Sequence, residues 1–241
     1  MRKFVASAVV GGLCLAAAPS AVEAAPVTGL FTIAGQEDVR VGLDFIDFGV
    51  FNDIWGTPNG GINFLTGEGT FVGIAGTAGE IMDLVALPVD TPIVLPDFIK
   101  AFALPGLSFT LTELVSGVGT VAECAPPSTP GDTCTIPGSP LTLINTSRRS
   151  FAVTARVLGY VTNELGEVSD FTGDFSSQNT RLSLEAALGR LDDEDDFIQS
   201  SWSAEFAFEP RVDGDVPEPA SMALMGLALS GVALALRRRR N

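Results

Sequence analysis

Carboxylates are the residues best suited to chemistry in this 241-residue chain, and the densest group of them is a run of five acids at 192–196. Its aspartates offer the oxygen ligands that Ca²⁺ prefers, and the candidate ligands are Asp192, Asp193, Asp195 and Asp196. The run lacks the alternating ligand positions and central glycine of an EF-hand loop. Since runs of charge usually form solvated loops, we predict no cofactor and treat a Ca²⁺ site as the alternative.

Histidine is absent from the chain. Its absence excludes Ser-His-Asp and Cys-His activation of a nucleophile, imidazole zinc sites and histidine pH switches. Glycoside cleavage by two carboxylates needs no histidine, but the acids are so many that spacing alone does not select a pair. We therefore predict a protein without catalysis, and a carboxylate-based hydrolase is the least favoured alternative.

Two of the three cysteines, Cys124 and Cys134, flank a loop that contains three prolines and a glycine. Such a loop predicts a surface excursion without helix or strand. In an oxidising compartment an even pair of cysteines indicates a disulfide, worth about 3 kcal/mol for so small a ring in the chain-entropy model. The alternative is a redox or metal site, which two thiols without histidine support poorly.

The N-terminal residues have the pattern of a secretory signal peptide. Arg2 and Lys3 precede an apolar run at 4–18, and small residues lead up to a cleavage position after Ala24. The alternative is a retained membrane anchor, but the apolar run of about 15 residues is shorter than the ~20 that span a bilayer. We predict that residues 1–24 are removed and that the protein is exported.

The segment 25–215 is the predicted exported domain, and it is strongly acidic. Glu23 and Glu218 are the only acids outside it, which leaves 27 acidic residues against 8 basic ones. A net charge of this sign repels nucleic acid phosphates and anionic membrane surfaces. We expect neither nucleic acid nor an anionic membrane surface as a partner of this domain.

The C-terminal 26 residues combine a short motif, an uncharged segment and a cationic end. The motif consists of Val216, Pro217, Glu218 and Pro219. The uncharged segment 220–236 would be about 25 Å long as a helix, and flanking arginines can reach the interface of a ~30 Å bilayer core. Four arginines that resist translocation follow, namely Arg237, Arg238, Arg239 and Arg240. A buried core helix is the alternative, but the adjoining arginines argue against it.

In its order of parts, this end resembles the PEP-CTERM sorting signal of Gram-negative bacteria. The resemblance implies that 216–219 is a recognition motif, that 220–236 is a transmembrane helix and that 237–241 is a basic tail. It also implies an exosortase as partner, transient anchoring in the inner membrane and a final location at the cell surface or in the extracellular matrix. Because the hosts of this family typically make exopolysaccharide and biofilm, exopolysaccharide is a further expected partner.

The exported domain alternates apolar and polar residues, which predicts strands buried on one face. The alternating apolar sets are Leu107, Phe109 and Leu111; Phe151, Val153, Ala155 and Val157; and Trp202, Ala204, Phe206 and Phe208. A similar run at 39–50 shifts phase at residues 45 and 46, which predicts a β-bulge or a crossing between sheets. Frequent glycine and proline turns between these runs favour an antiparallel sandwich.

One segment of the domain has helical periodicity. Leu184, Ala187, Leu188 and Leu191 share one helical face, which predicts a short helix over about 181–191. We interpret Asn59-Gly60-Gly61 and Gly173-Asp174 as turns, and 67–79 as a strand between two turns. The predicted fold is mainly β, an antiparallel, jelly-roll-like β-sandwich with one short helix, flanked by a signal helix and a transmembrane helix.

The run at 171–178, Phe-Thr-Gly-Asp-Phe-Ser-Ser-Gln, is similar to a pattern in the uncharacterised β domains attached to such tails. The resemblance implies the fold and no activity. We therefore predict a surface or matrix protein without catalysis, exported and sorted through its tail. The alternative is a carbohydrate-binding or Ca²⁺-dependent adhesion module, in which Trp55, Tyr160 or Trp202 could stack on sugar rings.

Overall fold

The computed structural model describes residues 25–43, 45–49, 59–86, 88–124, 128–191 and 197–211. Fourteen strands occur in these ranges: β1 (Gly29–Gly35), β2 (Val39–Val41), β3 (Phe45–Asp47), β4 (Asn59–Gly67), β5 (Ala78–Met82), β6 (Leu84–Val85), β7 (Ile99–Ala101), β8 (Ser108–Val115), β9 (Thr133–Thr135), β10 (Leu141–Ser147), β11 (Ser150–Thr162), β12 (Val168–Asn179), β13 (Ile198–Ser200) and β14 (Trp202–Pro210). A 3₁₀ turn (Gly69–Phe71), a helical turn α1 (Val121–Cys124) and a helix α2 (Leu184–Leu191) complete the described elements. The mainly β prediction is confirmed.

Ten strands form one large antiparallel sheet in the order β7-β5-β4-β1-β14-β12-β11-β10-β9, with β8 on the second half of β11. The sheet curls until its two sides meet. Leu95 exchanges both backbone hydrogen bonds with Leu111 of β8 at 3.0 Å, while Phe98 donates to Phe109 and accepts from Met82, each at 2.9 Å. The segment 95–101 therefore joins β8 to β5, and strand edges that would otherwise attract other chains are covered.

The predicted alternation puts phenylalanines on the concave face of this sheet. Phe31 is fully buried, and its ring lies 4.9 to 6.1 Å from those of Phe64, Phe71, Phe109, Phe206 and Phe208. Centroid separations in this range are typical of favourable aromatic pairs. Phe151, Val153, Ala155 and Val157 of β11 are buried on the same side, as their spacing predicts.

The remaining four strands form a small antiparallel sheet in the order β13-β2-β3-β6. It packs on the concave face of the large sheet, with Val39, Val41 and Ile46 facing Val153 and Phe175 across a void of about 20 Å³. The prediction of a β-bulge or a crossing between sheets at 45 and 46 is wrong. Val41 pairs with Ile46, so the chain reverses in a hairpin, and the phase shift marks that reversal.

The predicted helix is confirmed, although it begins at Leu184 rather than near 181. Leu184, Ala187 and Leu191 are buried and Leu188 packs against the core. α2 contacts α1, β10 and β13. We call this end of the molecule, where α2, α1 and the small sheet lie, the capped end.

Two turn predictions and one strand prediction are wrong, and the two turns are wrong for packing reasons. Gly173 lies inside β12, where a Cβ atom would come within 2.4 Å of the Phe206 ring. Gly60 lies inside β4, where a Cβ would come within 2.2 Å of the Phe48 carbonyl oxygen. In both places the chain does not turn, and glycine is present because a packed neighbour leaves no room for a Cβ atom. Finally, the expected strand at 70–72 is a 3₁₀ turn, Gly69–Phe71.

Candidate functional site

Both ends of the described chain leave from the same end of the large sheet, which we call the terminal end. Gly29 of β1 pairs with Phe208 of β14, and the Arg211 backbone amide donates to the Val168 carbonyl at 3.4 Å. Three connections lie at this end: 68–77 between β4 and β5, 102–107 between β7 and β8, and 163–167 between β11 and β12. The predicted signal peptide and the predicted sorting tail therefore adjoin one end of the domain.

The convex face of the large sheet carries a cleft of about 350 Å³ toward the terminal end. Three strands that are distant in sequence contribute acids to it, Glu113 from β8, Asp170 from β12 and Glu209 from β14. Thr112 and Thr172 add hydroxyl groups, and Leu158 adds an apolar contact. Polar groups around a small apolar surface are typical of ligand pockets.

Tyr160 and Arg211 lie beside Asp170 on this face. The Arg211 guanidinium is 5.2 Å from the centre of the Tyr160 ring, and Arg211 Nε donates to Asp170 Oδ1 at 3.0 Å. The arginine thus links a cation–π contact to a carboxylate. Of the three aromatic residues named for sugar stacking, Trp202 is buried and Trp55 lies outside the described residues.

A second cleft of about 420 Å³ lies on the same face toward the capped end, with Ser176, Gln178 and Ser203 in its lining. A charged row crosses the strands between the two clefts. Arg156 lies opposite Asp174, which lies opposite Glu205. Arg156 Nε donates to Asp174 Oδ1 at 2.7 Å, and the pair is more than half exposed. The convex face therefore offers hydroxyl, amide and carboxylate groups along the length of β12.

Asp83, between β5 and β6, is a half-buried carboxylate with a raised pKa. Burial raises its pKa from 3.8 to about 6, against the opposing effect of a hydrogen bond that its Oδ1 accepts from the Phe48 amide at 2.8 Å. The Asp47 charge raises this pKa further, and Arg40 lowers it. Arg40 lies 3.2 Å from Asp47 and stacks on the Phe197 ring. Asp83, Asp47 and Arg40 therefore form a charged cluster at the small sheet in which the Asp83 pKa is raised.

A polar network ties the loop after α1 to the capped end. Ser128 Oγ donates to Glu185 Oε1 of α2 at 2.6 Å and accepts from Asn145 Nδ2 at 2.9 Å. The bond from Ser128 lowers the pKa of Glu185. Asn145 begins an Asn-Thr-Ser glycosylation pattern, yet it is only 3% exposed. Its burial argues for a structural role of this side chain and against modification.

The predicted cysteine pair falls on neighbouring elements. Cys134 is fully buried in β9, Cys124 is the last residue of α1, and α1 packs against β9. Between them, Thr129 and Asp132 close a turn in which the Thr129 amide donates to Asp132 Oδ2 at 2.6 Å. Two such bonds from Thr129 lower the pKa of Asp132. The predicted surface excursion agrees with this turn, and the disulfide stays a prediction.

The other predicted site residues lie outside the described residues. These are the cleavage residue Ala24, the Ca²⁺ candidates Asp192, Asp193, Asp195 and Asp196, the motif residues Val216, Pro217, Glu218 and Pro219, and the arginines Arg237, Arg238, Arg239 and Arg240. Within the ranges that the structure describes, no three His, Cys, Asp or Glu residues are grouped so as to hold a metal ion. In those same ranges, no helix has the length and apolar character needed to cross a bilayer.

Comparison with known families identifies the C-terminal segment. Residues 215–240 match the PEP-CTERM protein-sorting motif. The chain is therefore an exported protein of the kind that exosortase recognises, made as a membrane-anchored precursor and processed for the cell surface. No curated protein and no solved structure matches the chain.

Proposed function

We propose that the acidic β domain is a surface or matrix module without catalysis, and that its delivery is the purpose of the tail. The observation that carries this proposal is the sorting motif at 215–240, directly after a domain that ends with β14. In this proposal Pro217, Glu218 and Pro219 are recognised by exosortase, 220–236 holds the precursor in the inner membrane, and Arg237–Arg240 keep the tail on the cytoplasmic side. The two sheets form a jelly-roll-like sandwich that serves as a scaffold for its convex face.

The sorting part of the proposal is tested by replacing Pro217 and Pro219 with alanine in the native host. We expect the uncleaved precursor to accumulate in the inner membrane and the mature product to disappear from the surface fraction. Pro105→Ala, in an exposed loop of the domain, is the matched control and leaves processing unchanged. A mature product of normal size and location in the double variant would refute the assigned recognition role.

A second candidate function, carbohydrate binding at the convex face, is favoured by the two clefts along β12. Their acids and hydroxyl groups can accept hydrogen bonds from sugar hydroxyls, and Tyr160 supplies an aromatic ring next to Asp170, which lines the first cleft. The expected ligand is the exopolysaccharide of the host. Ca²⁺ bound at 192–196 would make such binding cation-dependent.

A glycan array, run with Ca²⁺ and with a chelator, tests this second function. If the first cleft binds sugar, Glu113→Gln lowers the signal several-fold, because its carboxylate lines that cleft. Glu68→Gln, an exposed acid in the 68–77 connection, is the control and leaves the signal unchanged. Silence of the unaltered protein under both conditions refutes the carbohydrate-binding function and leaves the sorting proposal intact.

We also propose that Cys124 and Cys134 form a disulfide after export. Their placement on α1 and β9, which pack together, supports this pairing. Intact-mass measurement of the exported protein with and without reductant tests it. We expect the reduced protein to be two hydrogen atoms heavier, and Cys134→Ser to destabilise the domain by about 3 kcal/mol. Two free thiols in protein taken from the oxidising compartment would refute the pairing.

A further inference from the structure

Each of the three connections at the terminal end exposes one large apolar side chain. Val72 in the 68–77 connection is 77% exposed, Phe102 in the 102–107 connection 59%, and Leu165 in the 163–167 connection 74%. Singly exposed apolar residues are ordinary on protein surfaces. Here, however, one such residue occurs on every described connection at the terminal end. Because all three lie at the same end of the domain, a contact at that end would explain their exposure.

The short segment that connects the domain to the membrane anchor determines what lies next to the terminal end. Arg211 is the last described residue, and the uncharged segment of the membrane-anchored precursor begins at residue 220. The eight intervening residues reach at most about 28 Å when fully extended. The terminal end is therefore confined near the bilayer for as long as the tail is attached, and the capped end is on the far side of the domain.

We propose that, in the anchored precursor, the terminal end rests on the bilayer and that Val72, Phe102 and Leu165 enter its interfacial region. This docking rests on the membrane anchor in the proposed function and adds the orientation of the domain. Tethering gives even a weak contact a high effective concentration, so three apolar tips suffice without strong affinity of the free domain. Cutting the tail removes that advantage, and the domain then leaves the membrane.

Charge explains why the contact depends on the tether. Glu68 and Glu164, both exposed, lie on two of the same connections, and the Glu164 side chain adjoins Gly106 of the third. These carboxylates oppose binding to anionic lipid. The docking is consequently strongest on zwitterionic bilayers and weakens as anionic lipid is added.

The test uses the full precursor reconstituted in phosphatidylcholine vesicles that contain brominated lipid, which quenches nearby tryptophan. Phe102→Trp and Leu165→Trp report whether these two exposed apolar positions lie near the lipid. Val118→Trp, from a residue that is 68% exposed on the connection between β8 and α1 toward the capped end, is the matched control. The unsubstituted precursor gives the background from Trp55 and Trp202. We expect at least twofold stronger quenching at 102 and 165 than at 118, and less of it with anionic lipid.

Two outcomes overturn the proposal, and they are distinguishable. If the precursor stays with the vesicles through alkaline extraction but tryptophans at 102, 165 and 118 are quenched alike, the membrane anchor is right and the docking is wrong. If the precursor does not stay with the vesicles, the anchor is wrong and the docking fails with it. Refolding is checked in every variant by circular dichroism, and a second pair, Phe102→Asp and Leu165→Asp, lowers the quenching of Val72→Trp if the tips act together.

Discussion

The two faces of the long strands β12 and β14 differ in what their side chains contribute. On the concave face, Phe171, Phe175 and Phe206 are buried against one another. On the convex face, the same strands carry Asp170, Asp174 and Glu205, in ion pairs or facing solvent. Because apolar burial dominates stability and exposed ion pairs contribute little, the concave face determines the fold, and the convex face can vary to suit a ligand.

The largest expected effect comes from opening a hole in the concave face. Phe31→Ala removes a fully buried ring that contacts five other phenylalanines and should lower the free energy of unfolding by about 3 to 5 kcal/mol. The same substitution at Phe102, which is mostly exposed, is the control and should cost little in the detergent-free domain. Chemical denaturation measures both values. Similar losses at both positions would contradict the contrast between buried and exposed aromatics.

A smaller effect is expected where the concave face admits no additional atom. Gly173→Ala places a Cβ about 2.4 Å from Phe206 Cε1 and 2.8 Å from Val157 Cγ2, so the ring must move. We expect a loss of about 1 to 3 kcal/mol, as is usual for overpacking. Gly166→Ala is not a fair control, since its φ of +81° adds backbone strain; Ser176→Ala on the convex face of the same strand is the matched one.

Gly173 also shows why part of the fold could not be predicted from sequence. The alternation along β11 and β14 identifies the buried residues correctly, because a period of two is a local property. Along β8 it identifies Phe109 and Leu111, but Leu107 lies outside the strand and Thr110 is buried as well. The glycines at 60 and 173 resemble turn formers locally, and only the strands packed over them show that they are interior. The reversal between Val41 and Ile46 could not be predicted for a similar reason, since β2 and β3 are three residues long and carry too few alternations.

The candidate sites divide in the same manner. The sorting signal is contiguous, so its motif, apolar segment and arginines could be recognised directly in the sequence. The first cleft combines Glu113, Asp170 and Glu209, whose strands become neighbours only through the sheet order. The alternation along each strand could predict that these three side chains face outward, but not that they lie close together. The terminal end likewise emerges from strand pairing alone.

Asp83 shows what happens when a carboxylate is half-buried in the folded protein. Its folded pKa of about 6 lies above the ordinary value of 3.8, so the folded state holds this proton more tightly than the unfolded state does. Stability from this group is therefore present below about pH 4 and is lost as the pH rises through 6. Asp83→Asn avoids the loss, and Asn can still accept the bond from the Phe48 amide.

We expect Asp83→Asn to be more stable than the unaltered protein by about 1 kcal/mol at pH 7.5, a figure discounted for partial exposure. The difference should vanish below pH 4, where both side chains are neutral. Thermal unfolding at several pH values measures it, with the exposed Asp97→Asn as control. A variant less stable than the parent at pH 7.5 would mean that the Phe48 hydrogen bond and the Arg40 charge, which favour the ionised carboxylate, outweigh burial.

The smallest effect is expected on the convex face, at the Arg156–Asp174 pair. Two bonds join these side chains, at 2.7 and 3.1 Å, but both residues are more than half exposed, so water and salt screen the attraction. Arg156→Ala should cost about 0.5 kcal/mol at low salt, partly because Asp174 then faces Glu205 without a neutralising partner. The cost should shrink toward zero in 1 M NaCl. Adding Asp174→Asn removes the remaining repulsion and should recover the stability lost in Arg156→Ala. If Arg156→Ala instead costs as much as Gly173→Ala, the convex face also determines the fold.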